Sequence, residues 1–248
     1  MSHGFWLLAS YAASKLISDG NNVQALAETW AGVEGAISPY ERQRNKALSD
    51  DDVPQALTLT LVYNLPVGAG KRFLNKGGVM NKVAGGWQFE SIFRATSGVP
   101  FPFRSSNCDV PGQFQAACIP SIIGNPWAQS KSHFNPSLPL FNASAFENSG
   151  PEGFQFNFGS GAAYSDLRGF PFINQDIALF KNTRISERVG LQFRAEFFDA
   201  WNWHGIGCQT QCYGDTAFNT NIASPAFGMW DGEATVPRNV QLGLKLIF

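Results

Sequence analysis

Apolar and polar residues alternate with a period of two along several stretches of this chain, most regularly in the last one. From Asn239 to Phe248, Val240, Leu242, Leu244, Leu246 and Phe248 fall on one side, and Gln241, Gly243 and Lys245 on the other, with Ile247 the exception. Successive side chains of a strand point to opposite faces, so this pattern predicts a strand with one apolar and one polar face. Val189 to Trp201 repeats it: Val189, Leu191, Phe193, Ala195 and Phe197 alternate with Gly190, Gln192, Arg194 and Glu196. An amphipathic helix starting at Val189 would need apolar residues three, four and seven places on. Those places hold Gln192, Phe193 and Glu196, so the helical reading fails.

Four more stretches read the same way. In Gly86–Ser97, Trp87, Phe89 and Phe93 oppose Gln88, Glu90, Arg94 and Thr96. In Ala56–Leu65, Leu57, Leu59, Leu61, Tyr63 and Leu65 oppose Thr58, Thr60 and Asn64. In Ile173–Lys181, Ile177 and Leu179 oppose Asp176 and Ala178. In Gly4–Ser14, Phe5, Leu7, Ala9 and Tyr11 oppose Ser10, Ala12 and Ser14, with Trp6 and Leu8 blurring the contrast. The expected result is about six strands, each close to the ~9–11 residues that cross a bilayer at a tilt. The apolar faces should form one continuous outward surface, with Gln88, Glu90, Arg94, Gln192, Arg194, Glu196 and Lys245 turned the other way.

A soluble sandwich also alternates, so the connections have to separate the two cases. They are about 40, 20, 75, 7 and 35 residues long in chain order, longer and shorter in strict succession. Transmembrane barrels have this arrangement, with long loops outside the cell and short turns in the periplasm. Composition agrees. Charged residues make up 15 % of the chain and aromatics 14 %, against ~25 % charged in soluble domains. A net charge of −1 gives no general attraction to nucleic acid. No run approaches the ~18 apolar residues of a membrane-spanning helix. The N-terminal run after Met1 lacks a preceding Lys or Arg and is interrupted by Ser10 and Tyr11, so it is not read as a signal peptide. For an exported protein, the start of the parent would then lie upstream.

The residues offer little for catalysis. His3, His133 and His204 are far apart and form no ligand spacing. Gly68-Ala69-Gly70-Lys71-Arg72 lacks the spacing and Ser/Thr of a phosphate loop and reads as a turn, with a helical turn expected near Met80–Ala84. Asp50-Asp51-Asp52 reads as a solvated loop rather than a calcium site. Arg194 and Glu196 read as part of an inward charge ladder with cross-strand partners. Loop aromatics such as Phe101, Phe103, Phe114, Trp127, Phe134, Phe154, Phe156 and Phe158 suit self-packing or a membrane boundary, with ligand stacking as the alternative. Cys108/Cys118 and Cys208/Cys212 form two close pairs in Gly-, Pro- and Asn-rich segments. Disulfides in an oxidising compartment fit them better than a four-cysteine zinc site, because neither pair has C-x-x-C spacing.

The C-terminus carries the clearest functional pattern. Gln241-x-Gly243-x-x-Leu246-x-Phe248 has the form polar, Gly, hydrophobic and terminal aromatic, and resembles the β-signal read by the barrel-assembly machinery of outer membranes. The chain as a whole resembles the C-terminal barrel region of TonB-dependent receptor-like proteins that carry an N-terminal carboxypeptidase-regulatory-like domain. The resembling stretches run from Ser10-Tyr11-Ala12-Ala13-Ser14-Lys15 through residues 65–74, Gly85-Gly86-Trp87-Gln88, residues 97–101, Leu167-Arg168-Gly169-Phe170, residues 179–182 and residues 191–198 to Pro237-Arg238-Asn239-Val240-Gln241 and the terminal strand. The resemblance implies a barrel of about 22 strands, an internal plug and energy-dependent import of a nutrient. This chain has no plug, no energy-coupling box near its start and about six strands, so it corresponds to roughly the last quarter of such a receptor.

The expected fold is therefore all-β. Residues 1–248 form the C-terminal part of an outer-membrane barrel domain, an incomplete antiparallel barrel of about six strands with long extracellular loops. Its expected partners are outer-membrane lipid, the barrel-assembly machinery and the N-terminal plug of the parent receptor. No nucleic acid, cofactor, metal or enzymatic activity is expected. The alternative is a secreted β-sandwich that binds carbohydrate.

Overall fold

The computed structural model describes residues 4–18, 43, 46–49, 51–75, 77–109, 118–157, 159–162, 165–206, 217–232 and 236–248. Six long strands dominate: β1 (Phe5–Ala13), β2 (Gln55–Asn64), β3 (Trp87–Thr96), β4 (Phe172–Arg184), β5 (Gly190–Phe198) and β6 (Asn239–Ile247). Each falls on a predicted stretch. They form one antiparallel sheet in which every strand pairs with its neighbour in sequence. β1 and β6 are the two edges and do not pair with each other, so the barrel is open.

β4 runs three residues past the predicted end, to Arg184. Asn182, Thr183 and Arg184 are all polar and so show no alternation to reveal a strand, yet all three remain paired, opposite Gln192, Leu191 and Gly190. The predicted turn at Asn182–Arg188 shrinks accordingly. The helical turn expected near Met80 is present as α1 (Val79–Ala84).

Meander topology places the connections 14–54, 97–171 and 199–238 at one end of the sheet. Connections 65–86 and 185–189 lie at the other. Among the described residues, the long connections contain two short pairings, Ile17–Ser18 with Ala47–Leu48 and Cys108–Asp109 parallel to Phe154–Gln155, and isolated bridges such as Trp127 with Phe141 and Arg104 with Asn221.

The hydrophobic core does not lie under the sheet. It consists of Phe101, Phe103, Cys118, Leu140, Phe141, Ala145, Phe146, Phe154, Phe218, Ile222 and Phe227, all from the second and third long connections. A soluble sandwich instead buries the apolar face of one sheet against another. Among the described residues no second large sheet is present, and the core lies in the connections instead.

Candidate functional site

Register decides which side chains share a face, since residues directly opposite in an antiparallel pair point the same way. One row runs Leu7, Leu61, Ser91, Ile177, Phe197 and Val240 across all six strands. Neighbouring rows on this face add Phe5, Tyr63, Phe89, Leu179, Ala195 and Leu242. The predicted apolar faces therefore merge into one surface. Large parts of it are open: Leu7, Leu242, Leu244 and Leu246 are all exposed.

Ser91 and Gln175 are polar side chains on this outer face that bond each other. Gln175 Nε2 donates to Ser91 Oγ (2.9 Å), and Trp201 Nε1 donates to Gln175 Oε1 (2.7 Å). Trp203 packs edge-on against Phe93, with ring centroids 6.4 Å apart. These indoles cover the rim at the long-connection end. At the opposite rim Lys181 bonds the carbonyl of Gly85 and lies over the Trp87 ring.

The other face carries Gln88, Glu90, Arg94, Gln192, Arg194, Glu196 and Lys245 together, as the alternation predicts. Arg94 Nη2 lies 3.2 Å from Asp176 on the adjacent strand. Gln88 donates to Glu90 (2.8 Å) and Gln192 to Asn182 (2.9 Å). The ladder is cross-strand only in part. Arg194 pairs with Glu196 of its own strand at 2.6 Å, because residues two apart on a strand share a face, and its guanidinium also covers Phe180. Trp6, Leu8, Val62, Ile92, Phe172, Phe180, Phe198 and Ile247 also fall on this side, so its polar character is carried by the ladder residues and not by every position.

The second and third long connections are built as a single cap. Phe101 contacts Phe141 edge-on at 4.8 Å, and Phe103 lies 4.6 Å from Phe146, while Phe218 and Phe227 enter from the third connection. Main-chain bonds between Arg104 and Thr220, Ile222 and Arg104, and Leu140 and Gly228 join the two connections. Of the loop aromatics, Phe101, Phe103 and Phe154 are buried and Trp127 and Phe134 pack against the core, so self-packing is their role. Phe156 is exposed. Phe114 and Phe158 lie outside the described residues.

Asp52 overturns the solvated-loop expectation at its own position, while Asp51 is exposed as expected. Asp52 is fully buried, accepts from the Leu16 amide (2.5 Å) and is ion-paired to Arg168. Arg168 also donates to the Asp52 carbonyl at 2.7 Å. Burial raises the pKa of this carboxyl. The Leu16 amide and the Arg168 guanidinium outweigh that effect and hold it below the ordinary value. Asp50 lies outside the described residues. Glu147 is a second clamp: its Oε2 accepts from the hydroxyls of Ser121 (2.9 Å) and Ser160 (2.8 Å) and from both amides. Partial burial raises its pKa, and these four donors bring it below the ordinary value. Sequence reading missed both clamps.

Cys108 and Cys118 are disulfide-bonded, with Cα atoms 5.5 Å apart. Cys208 and Cys212 lie outside the described residues, as does His3. Among the described residues no group of three or more His, Cys, Asp or Glu is placed to hold a metal. Gly68–Arg72 forms a turn, closed by Phe73 N to Pro66 O (3.0 Å) and Gly68 N to Phe73 O (2.9 Å).

In the terminal strand, Gln241 opposes Glu196, Gly243 opposes Arg194 and Leu246 opposes Leu191. Phe248 follows the last paired residue and is 94 % exposed. Gly243 lies on the inner face of this edge strand. A Cβ there would meet only Arg194 Cβ, at 3.7 Å, an ordinary contact on an edge strand.

No curated protein and no solved structure matches the chain. The family model for the outer membrane beta barrel domain matches residues 1–241. An apolar face continuous across six strands and exposed on the edge strands, a polar ladder on the other face and a core in the connections suit a sheet solvated by lipid. Sequence family and surface chemistry thus agree that this chain belongs to the outer membrane beta barrel domain family and resides in the bacterial outer membrane.

Proposed function

We propose that this chain forms the C-terminal part of a TonB-dependent receptor barrel and contributes there to energy-coupled uptake of a nutrient. The observation that carries the reading is the division of labour between the two ends. Three long connections are assembled at one end, two of them sharing one packed cap, while the opposite end carries only the connections 65–86 and 185–189. Such a cap over a polar-lined sheet suits selection of a solute from outside. The two open edges call for further strands, because hydrocarbon cannot satisfy free backbone groups. In this reading the parent supplies those strands and an internal plug. The inner ladder of Glu90, Arg94, Arg194 and Glu196 faces that plug or the wet lumen.

The barrel-assembly machinery would read Gln241, Gly243, Leu246 and Phe248 on the free edge of β6. The chain performs no chemistry of its own and needs no cofactor. Nucleic acid is not a partner. Sequencing upstream of Met1 tests the proposal. The expected result is an open frame that continues into a plug with an energy-coupling box and a signal peptide. A stop codon and promoter directly upstream would overturn it.

A further inference from the structure

The connection 65–86 is the longer of the two at the short-turn end, and its surface is unusual. Phe73, Leu74, Val79 and Val83 are 53 %, 52 %, 77 % and 66 % exposed. Val79 and Val83 are four residues apart on α1 and so share one face. The same segment holds Lys71, Arg72, Lys76 and Lys82 and no acid. By contrast, the three long connections hold fifteen acids against eight cations. Charge is therefore segregated between the two ends of a chain that is nearly neutral overall.

The segment is also fixed to one side of the sheet. Trp87 and Lys181 are opposite one another on the apolar outer face. Trp87 Nε1 donates to the Val83 carbonyl at 3.1 Å, and Lys181 bonds the Gly85 carbonyl. These bonds hold the end of α1 against the outer rim rather than under the lumen. Internally, Asn81 Oδ1 accepts from the Ala69 amide (2.6 Å) and Asn75 Oδ1 from the Gly70 amide (2.7 Å). Gly68 has φ +115° and approaches Gly85 so closely that a Cβ would lie 2.7 Å from its Cα. The connection is thus a folded unit held at the outer rim, with its apolar residues exposed.

We propose that residues 65–86 form a membrane-surface anchor, with Phe73, Leu74, Val79 and Val83 set into the headgroup boundary and Lys71, Arg72 and Lys82 paired with phosphates of anionic phospholipid. The inference rests on the reading of the outer face as the lipid face and goes beyond transport. Amphipathic segments bind at this depth by apolar burial together with attraction to anionic headgroups. Each cation close to an anionic surface strengthens the attraction about fivefold. The arrangement would fix the height of the barrel in the membrane from its short-turn side.

The test uses the full chain assembled in the outer membrane of intact cells, with a photo-reactive amino acid at Val79, at Val83 or at Leu244. Leu244 lies on the outer face of β6 and reports on the lipid reading alone. Adducts are identified by mass spectrometry as phosphatidylethanolamine, phosphatidylglycerol or protein. Lipid adducts are expected at all three positions, with phosphatidylglycerol enriched at Val83 over Leu244 by at least about threefold. The triple variant K71Q/R72Q/K82Q should remove that enrichment while leaving the Leu244 adducts unchanged. Lipid adducts at Leu244 with only protein adducts, or none, at Val79 and Val83 would overturn the anchor and leave the membrane face intact. Lipid adducts at Val83 without the headgroup bias would overturn the anionic part. Absence of lipid adducts at Leu244 would overturn both readings.

Discussion

Arg168 reaches across 116 residues of sequence to Asp52, bonding both its carboxylate and its main-chain carbonyl. The pair ties the second long connection to the foot of the first, where the same carboxylate accepts from Leu16. Removing one partner of a buried pair leaves an uncompensated charge, at a cost of about 3–5 kcal/mol. Arg168→Ala should therefore loosen the junction far more than Asp52→Asn, which keeps an acceptor for Leu16. Hydrogen exchange at the Leu16 amide reads this directly. Unchanged exchange in Arg168→Ala would show that the pair does not hold the connections together.

Acid should open the cap through the same groups. Asp52 and Glu147 both have pKa values depressed on folding. For a depressed carboxylate the stabilisation is complete above the unfolded pKa of about 4 and is lost as pH falls through the lower folded value. Protease sensitivity of the long connections should thus stay flat from neutral pH to about 5 and rise below about 4. Glu147→Gln should already be more sensitive at neutral pH and less responsive to acid. A wild-type profile that rises between pH 7 and 5 would point to other groups.

The Cys108–Cys118 bridge spans ten residues of sequence. Closing a loop of that size restricts the unfolded chain by about 2–3 kcal/mol in the entropy model. Cys108→Ser with Cys118→Ser should loosen the Cys108–Phe154 pairing, measured as faster exchange of the Phe154 amide, while the sheet remains unaffected. Four free thiols in protein taken from the cell envelope would count against the bridge.

The terminal strand separates three effects in one assay, the amount of folded protein in the outer membrane. Deletion of Phe248 should impair assembly more than any substitution in the connections, because the proposed assembly signal ends on that residue. Leu242→Arg places a cation on the lipid face and should cost about 2–4 kcal/mol near mid-membrane. Lys245→Gln, on the inner face, should be tolerated. Gly243→Ala should also be mild, because the edge leaves room for a Cβ. Equal amounts for wild type and the Phe248 deletion would remove the assembly role.

The sheet was legible in the sequence because lipid on one side and polar groups on the other impose a strict period of two. Leu57, Leu59, Leu61 and Tyr63 announce their strand without help from any other segment. At Asn182 to Arg184 that contrast fades near the rim, and the strand looked shorter than it is. The cap was not legible. Phe101 meets Phe218 in space with more than a hundred residues between them, and no local pattern encodes that contact. Asp52 misled for a related reason: two acidic neighbours suggested solvent, whereas a distant arginine decides its burial. Leu167-Arg168-Gly169-Phe170 was noticeable only as a family-like motif, not as half of an ion pair.

The direction of the edge strands sets a parity rule for closure. β1 runs toward the long connections and β6 runs away from them, since six strands alternate in direction. In an antiparallel barrel each neighbour reverses, so any arc inserted between β6 and β1 must contain an even number of strands. Six alone fall below the eight of the smallest single-chain barrels. An arc of two, four or more would close the wall without a parallel seam, and an odd count would force one. A barrel closed through such an arc without a parallel seam would have an even strand number, and the arc would begin and end on the short-turn side.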